Sequence, residues 1–133
     1  MKLQDICTSL KLSKELESAG YPQESLFVWR KYSLAKKPAL YQTPPEGIEL
    51  GVLSGKLEFE YSAPTASELG EAINDWNRAL RFHFIRSTKG GSWFLELEIE
   101  AKIPHFKGKS MTDCLAKMWL YLKKNNLLQT KQS

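Results

Sequence analysis

The sequence has few of the residues and patterns that mark secreted or membrane-spanning proteins. Among its 133 residues are two cysteines, Cys7 and Cys114, which lie near opposite ends of the chain in helix-like segments. This spacing favours two small buried thiols over a disulfide, because disulfide-stabilised proteins have a much higher cysteine density. No apolar run approaches the length needed to span a bilayer, and no signal-peptide pattern is visible at the start. We therefore predict a soluble cytoplasmic protein that does not contact the membrane.

Motifs that indicate catalysis are also missing. The "KGG" stretch lacks the strand, spacing and helix of a nucleotide-binding loop, and no G-x-S-x-G motif occurs. His83 and His105 share no metal-ligand spacing with a cysteine or a carboxylate. Glu96, Glu98 and Glu100 bring three carboxylates to one strand face, a pattern that solvated hairpins show far more often than enzymes do. We therefore predict that the protein is not an enzyme and has no catalytic residue, metal or cofactor.

The composition is that of an ordinary globular chain, with 42% hydrophobic and 26% charged residues. A chain of this length fits one domain that folds without a metal or a disulfide. We predict a single α+β domain over residues 1–128, followed by a flexible polar tail at residues 129–133.

The net charge of +4 is unevenly distributed. Residues 1–100 hold 12 basic and 14 acidic side chains, whereas residues 101–133 hold seven lysines and one aspartate. Two interpretations stay open. The lysines form a solvated helix face, which is the more common case, or they attract a polyanion.

The segment "TSLKLSKELESAG" predicts an amphipathic helix of about three turns. Thr8 or Ser9 is the expected N-cap, and Leu12 and Leu16 share one face. Gly20 is the expected stop, because glycine readily adopts the left-handed conformation that ends helices.

The next segment, "QESLFVWRKY", changes to a β-branched and aromatic run. Phe27 and Trp29 lie on one face and Leu26 and Val28 on the other, so we predict a strand that is covered on both sides. Residues 33–56 predict a long loop with one short strand. The segment "KLEFEY" then alternates as a half-buried strand does.

The stretch "SAPTASELGE" carries a complete helix start signal. Pro64 ends the preceding strand, and Thr65 with Glu68 has the spacing of a capping box. Leu69 and Ile73 belong to the apolar stripe that follows. We predict a short helix of two turns, which needs its cap and its packing to form.

The strongest local pattern is a β-hairpin over about residues 80–100, in which "LRFHFIRS" and "WFLELEIE" alternate on either side of "TKGGS". One face is apolar, and the other pairs basic residues with glutamates. The last segment predicts a helix that begins at Ser110, with Asp113 in its first turn, and lies across the apolar hairpin face. Its apolar face comprises Met111, Leu115, Met118 and Leu122.

The fold class that follows is α+β. We predict a small antiparallel sheet, including the long hairpin at about residues 80–100, packed against N-terminal and C-terminal helices and one short central helix.

Basic and aromatic residues interleave in "FVWRKYSLAKK", which is typical of surfaces that stack nucleotides or single-stranded nucleic acid, although such aromatics are more often core. The candidate ligand-binding or nucleic-acid-binding residues are Trp29, Arg30, Lys31, Lys36, Lys37, Lys107 and Lys109. The nucleic-acid hypothesis adds further lysines of the C-terminal part, namely Lys102, Lys117, Lys123 and Lys124.

Three stretches together resemble a family of small, functionally uncharacterised proteins of bacteriophages and prophages: "SKELESAGYPQESLFVW", "SAPTASELGE" and "TDCLAKMWLYLKKNNLL". The resemblance leaves residues 33–56 uncovered, and Cys114 stands where the family commonly has alanine. Because the family has no established activity, it assigns no functional residue. It implies a setting in the cytoplasm of an infected or lysogenic bacterium.

From this setting we predict a phage-type accessory protein that acts by binding. The expected partner is a host protein or a host signalling nucleotide, which the protein would sequester in an anti-defence role. The alternative is a basic nucleic-acid-binding protein, and self-association is a further open prediction.

Overall fold

The computed structural model describes residues 6–42, 55–76, 81–86, 92–98 and 103–125. This part of the chain has three helices and six strands. In chain order they are α1 (Leu10–Ser18), β1 (Phe27–Tyr32), β2 (Ala39–Gln42), β3 (Leu57–Ser62), α2 (Ala66–Trp76), β4 (Arg81–Arg86), β5 (Trp93–Glu98), β6 (His105–Gly108) and α3 (Met111–Lys124).

The described strands form two small antiparallel sheets of three strands each. The first sheet has the order β2-β1-β3 and the second has the order β4-β5-β6. The predicted α+β class is confirmed. The sequence patterns did not indicate that the strands divide between two sheets, because alternation within a strand does not show which other strand it pairs with.

In the first sheet, β1 is the central strand, as expected of a run that is apolar on both faces. Val28 and Tyr32 are buried. Leu26 is not, since it precedes the strand and 56% of its surface is exposed. The short strand expected between residues 33 and 56 is β2, and residues 43–54 lie outside the described chain.

Helix α1 begins after Ser9 and ends in a Schellman motif. Gly20 has φ +93°, the N–H of Tyr21 donates to the carbonyl of Leu16 at 2.8 Å, and the N–H of Gly20 donates to Glu17 at 3.0 Å. The predicted glycine stop is therefore confirmed.

Helix α2 begins with the predicted capping box. The N–H of Glu68 donates to Thr65 Oγ1 at 3.3 Å, and the N–H of Thr65 donates to Glu68 Oε1 at 3.0 Å. Leu69 and Ile73 are fully buried. The helix has 11 residues, about three turns, so the prediction of two turns was too short. Helix α2 packs against α3.

The second sheet contains the predicted hairpin, in which Phe82 pairs with Leu97 and Phe84 with Leu95. Leu95 and Leu97 are fully buried, and Glu96 between them faces the other side of the sheet. Strand β6 pairs with β5 and was not predicted, because the segment is short and is flanked by proline and glycine. The turn residues 87–91 lie outside the described chain.

Helix α3 packs against β5, one strand of the predicted hairpin, and against β6, which was not predicted. Its N-cap Ser110 accepts a hydrogen bond from the Asp113 N–H at 3.1 Å. Met111 does not face the core as expected, because it is the first helical residue and 38% of its surface is exposed. The main cluster of buried residues joins all three helices to the second sheet, and its largest fully buried members are Leu16, Leu69, Ile73, Leu95, Leu97, Met118 and Leu122.

Both cysteines are buried free thiols, as predicted. Burial raises the pKa of Cys7 to about 11 and that of Cys114 to about 11. The Cys114 thiol donates to the carbonyl of Trp93 at 3.4 Å. These residues therefore act as small apolar side chains of the interior.

Candidate anion-binding groove

Helices α1 and α3 run side by side with their N-termini at the same end. The N–H of Ser9, the N-cap of α1, donates to Asp113 Oδ1 in the first turn of α3 at 2.9 Å. At the other end, Ala19 and Lys124 line the same concavity. The space between the helices, bounded on one side by β6, is called the α1–α3 groove below.

The α1–α3 groove encloses about 890 Å³, which is within the range of small-molecule binding sites. A second concavity of about 510 Å³ continues it and shares Glu15, Leu120 and Lys124 with it. The groove itself is lined by Ser9, Lys11, Leu12, Glu15, Ser92, Lys107, Gly108, Lys109, Asp113, Lys117, Leu120, Tyr121 and Lys124. Five of these residues are lysines and two are acidic, and the ammonium group of Lys107 lies over the Phe94 ring. Four lysine side chains against two carboxylates still give the lining a net positive charge.

One end of the groove is the most favourable for an anion. The N-termini of α1 and α3 meet there, and the first turns of helices carry partial positive charge on their unpaired N–H groups. The Ser9 side chain makes no capping bond to α1. Lys11, Lys109 and Lys117 line the same end. Together the two helix N-termini and the lysines give this end of the groove a positive potential that favours a phosphate.

Asp113 is the buried acidic group of this end, with 9% of its surface exposed. Desolvation raises the pKa of Asp113 above its ordinary value, although the hydrogen bond from Ser9 and the charges of Lys117 and Lys109 oppose the shift. Gly108 packs closely against it, since an added Cβ at position 108 would lie 3.1 Å from the Asp113 Cβ.

The wall of the groove also has an apolar part formed by Leu12, Leu120 and Tyr121. The Tyr121 ring packs edge-on against Phe106, with centroids 5.4 Å apart and an interplanar angle of 65°. This contact restricts the tyrosine ring and gives the groove a fixed aromatic surface beside its lysines.

The residues predicted for binding near β1 lie elsewhere and make structural contacts. Trp29 Nε1 donates to the carbonyl of Thr8 at 2.8 Å. Arg30 pairs with Glu60, and Lys31 Nζ lies 3.1 Å from Glu58 Oε1. These contacts hold the first sheet together and place its central strand against the start of α1.

The remaining candidates divide between two surfaces. Lys36 and Lys37 are exposed in the connection between β1 and β2, away from the residues that line the groove. Lys109 lines the groove. Lys107 contributes its carbonyl, which accepts a hydrogen bond from Lys117, while its Nζ lies 5.9 Å from the centroid of the Phe94 ring on the outer face of the second sheet.

The lysines of the nucleic-acid hypothesis are partly brought together. Lys117 and Lys124 line the groove, Lys123 lines the adjoining concavity, and Lys102 lies outside the described chain. The sequence patterns missed Lys11 and Lys14 on α1, which were part of an ordinary solvated helix face. No local signal could have identified them, because their role depends on the contact between Ser9 and Asp113.

A second cluster lies on the outer face of the β4-β5-β6 sheet. His83 Nε2 is 2.8 Å from Glu96 Oε1, and His105 Nε2 is 2.7 Å from Glu96 Oε2. Both imidazoles are 56% exposed and Glu96 is 25% exposed, so the cluster is open to solvent. The sequence patterns did not indicate this arrangement, because His105 reaches Glu96 through β6, a strand that was not predicted. Glu98 lies opposite Arg81 in the strand register, and Glu100 lies outside the described chain.

Within the described ranges, no group of three or more His, Cys, Asp or Glu side chains is arranged to hold a metal ion. No described helix is both long and apolar enough to cross a membrane. The chain matches no protein-family model, no curated protein and no solved structure. The resemblance to small phage proteins therefore stays a prediction.

Proposed function

We propose that this protein is a small binding protein that captures a nucleotide in the α1–α3 groove. The observation that carries the proposal is the placement of two helix N-termini and the lysines Lys11, Lys109 and Lys117 at one end of a groove of about 890 Å³. The phosphates of the ligand would bind at this end. Its base would pack against Leu120 and Tyr121 on the apolar part of the wall.

The proposed role is capture and not turnover. Ser9 and Ser92 line the groove, and no histidine or cysteine is among the described residues that line it with them. A serine hydroxyl is a weak nucleophile without a neighbouring base. In the phage setting that the sequence resemblance implies, the protein would sequester a host signalling nucleotide. A host protein as the bound partner is the alternative within the same role.

Nucleic-acid binding is the second candidate function, and the length of the basic surface favours it. The lysines continue from the groove into the adjoining concavity through Lys14 and Lys123. From Lys109 to Lys124 the surface follows α3 over roughly 22 Å, at the rise of an α-helix per residue. A single nucleotide covers only part of this length, whereas an oligonucleotide would contact all of it.

The first experiment compares two double variants of equal charge by calorimetric titration with ATP at low salt. The variant K11E/K109E reverses two lysines at the phosphate end of the groove, and K36E/K37E reverses two exposed lysines away from the groove. We expect the first to weaken ATP binding by about tenfold or more, because like charges then face the phosphates, and the second to change it by less than about twofold. Equal losses in both variants, or no ATP binding by the unaltered protein, would overturn the proposal.

The second experiment separates the two candidate functions. The protein is titrated with ATP and with a single-stranded oligothymidylate of twelve nucleotides at several salt concentrations. A nucleotide-binding protein binds ATP with the higher affinity. A nucleic-acid-binding protein prefers the oligonucleotide, with a steep log–log dependence of affinity on salt. The ultraviolet spectrum of the freshly purified protein gives an independent reading, since a co-purified nucleotide raises its absorbance near 260 nm.

A further inference from the structure

A carboxylate lies among the cations of the groove, at the place where an anion would bind. Asp113 is buried, and its Oδ1 accepts the N–H of Ser9 at the end where the two helices begin. A phosphate bound at this end would place a second negative charge beside it. Two like charges close together in a partly desolvated site repel each other strongly.

The charged and polar groups around Asp113 and along the groove that it lines come from each element packed there. From α1 they are the Ser9 N–H, Lys11 and the carboxylate of Glu15. From the segment before α3 and from α3 itself they are Lys109 and Lys117, which favour the ionised carboxylate, together with Lys124 at the far end. The Cys114 thiol next to it stays protonated, because burial raises its pKa to about 11.

We infer that an anionic ligand enters the α1–α3 groove together with a proton, which Asp113 takes up. This inference rests on the proposed nucleotide-binding function and concerns the regulation of the same site. The proton comes from solvent and is carried by Oδ2, because Oδ1 keeps its hydrogen bond to Ser9. No bond of the ligand is broken.

Three features support this coupling. Desolvation already holds the pKa of Asp113 above its ordinary value in the free protein. The charge of a bound phosphate would raise that pKa further. In the neutral acid Oδ1 would keep the hydrogen bond from Ser9, and the new Oδ2–H would donate to an oxygen of the bound phosphate, so protonation would not leave an unpaired buried group.

The direction of the pH dependence follows from the difference between the pKa of Asp113 in the complex and its pKa in the free protein. A group whose pKa is higher in the complex than in the free protein binds additional protons on complex formation. Affinity for an anion therefore rises as the pH falls toward the range where Asp113 titrates, and it levels off once the carboxylate is protonated in both states.

The test is calorimetry of ATP binding in buffers of different ionisation enthalpy, which measures the protons taken up on binding. The variant D113N keeps an oxygen that can accept the Ser9 N–H but removes the charge. The variant E17Q is the matched control, since Glu17 is an exposed carboxylate of α1 that does not line the groove. Protons taken up by ATP itself are common to all three proteins and cancel in the comparison.

We expect the unaltered protein and E17Q to take up more protons than D113N at mildly acidic pH. We also expect D113N to bind ATP about tenfold more tightly at neutral pH, because one like charge is removed from the site. Equal proton uptake by D113N and the unaltered protein, with ATP bound to both, overturns this inference and leaves the proposed function intact. No ATP binding by the unaltered protein overturns both.

A second measurement does not depend on the folding of a variant. The carboxyl carbon of Asp113 in the unaltered protein is followed by NMR as a function of pH, with and without ATP. We expect ATP to move its titration midpoint to higher pH. An unchanged midpoint in the ATP-bound protein contradicts the proposed proton uptake.

Discussion

Removal of the Glu68 carboxylate should show how much the stability of the fold depends on the start of α2. Glu68 Oε1 accepts the N–H of Thr65 at 3.0 Å, and Oε2 accepts the N–H of Leu26 at 3.2 Å. The substitution Glu68→Ala removes both acceptors and the negative charge near the helix N-terminus. Loss of the capping bond costs about 1 kcal/mol. The Leu26 bond is exposed and the charge is partly solvated, so together they add roughly 0.5 to 1 kcal/mol.

We therefore expect E68A to lower the free energy of unfolding by about 2 kcal/mol. In urea denaturation followed by tryptophan fluorescence, this corresponds to a midpoint lower by about 1 M at a typical denaturant slope. E68Q should lose less than half as much, because glutamine also serves at this position of a capping box. The control is E71A, which removes an exposed glutamate of the same helix. If E68A and E71A unfold at the same urea concentration, the carboxylate does not stabilise the helix start as argued.

Three further predictions concern single positions. Gly20→Ala should destabilise the protein by about 1 kcal/mol, because φ is +93° there. Gly70→Ala should instead stabilise it by about 0.5 kcal/mol, because alanine favours a helix and its Cβ would meet nothing within 4 Å in α2. Leu16→Ala should cost about 2 to 5 kcal/mol as a fully buried residue. Cys7 and Cys114, whose pKa burial raises to about 11, should react with iodoacetamide at mildly alkaline pH only after unfolding.

Urea denaturation measures the first two of these, and mass spectrometry of alkylated protein measures the third. Equal effects of the two glycine substitutions would contradict the conformational argument. If L16A lowers the free energy of unfolding by less than about 1 kcal/mol, neighbouring side chains must move into the space left by the leucine. Alkylation of the folded protein at the rate of the unfolded protein would show that the thiols are accessible.

The features that the sequence predicted correctly depend on residues close together in the chain. The stop of α1 at Gly20 and the capping box of Thr65 and Glu68 each involve a few consecutive residues. The hairpin register follows from alternation on both sides of a glycine-containing turn. In these cases local geometry restricts the backbone strongly enough for the pattern to identify the structure.

The features that were missed depend on contacts between distant segments. Strand β6 has four residues and an unremarkable pattern, so its pairing with β5 could be found only from the folded chain. The pairing in turn creates the cluster of His83, Glu96 and His105. Met111 was assigned to the core because periodicity does not show where the covered part of a helix face begins.

The groove was predictable only in part. The excess of lysine in the last quarter of the chain indicated a basic surface, and Lys109 was named as a candidate. Lys11 was not named, because α1 and α3 are joined by a bond between residues 104 positions apart in the sequence. Composition can therefore indicate the charge of a surface, but it cannot show which helix completes it.

The bond between Ser9 and Asp113 also determines when the chain can become structured during its synthesis. Helix α1 is made early, yet its neighbour α3 leaves the ribosome about a hundred residues later. Until then, Leu12 and Leu16 of the nascent chain lack the partners that cover them. Contacts at such long separation slow the search for the native arrangement. Helix α1 should therefore acquire its packing only once α3 has been made, as one cooperative event and not helix by helix.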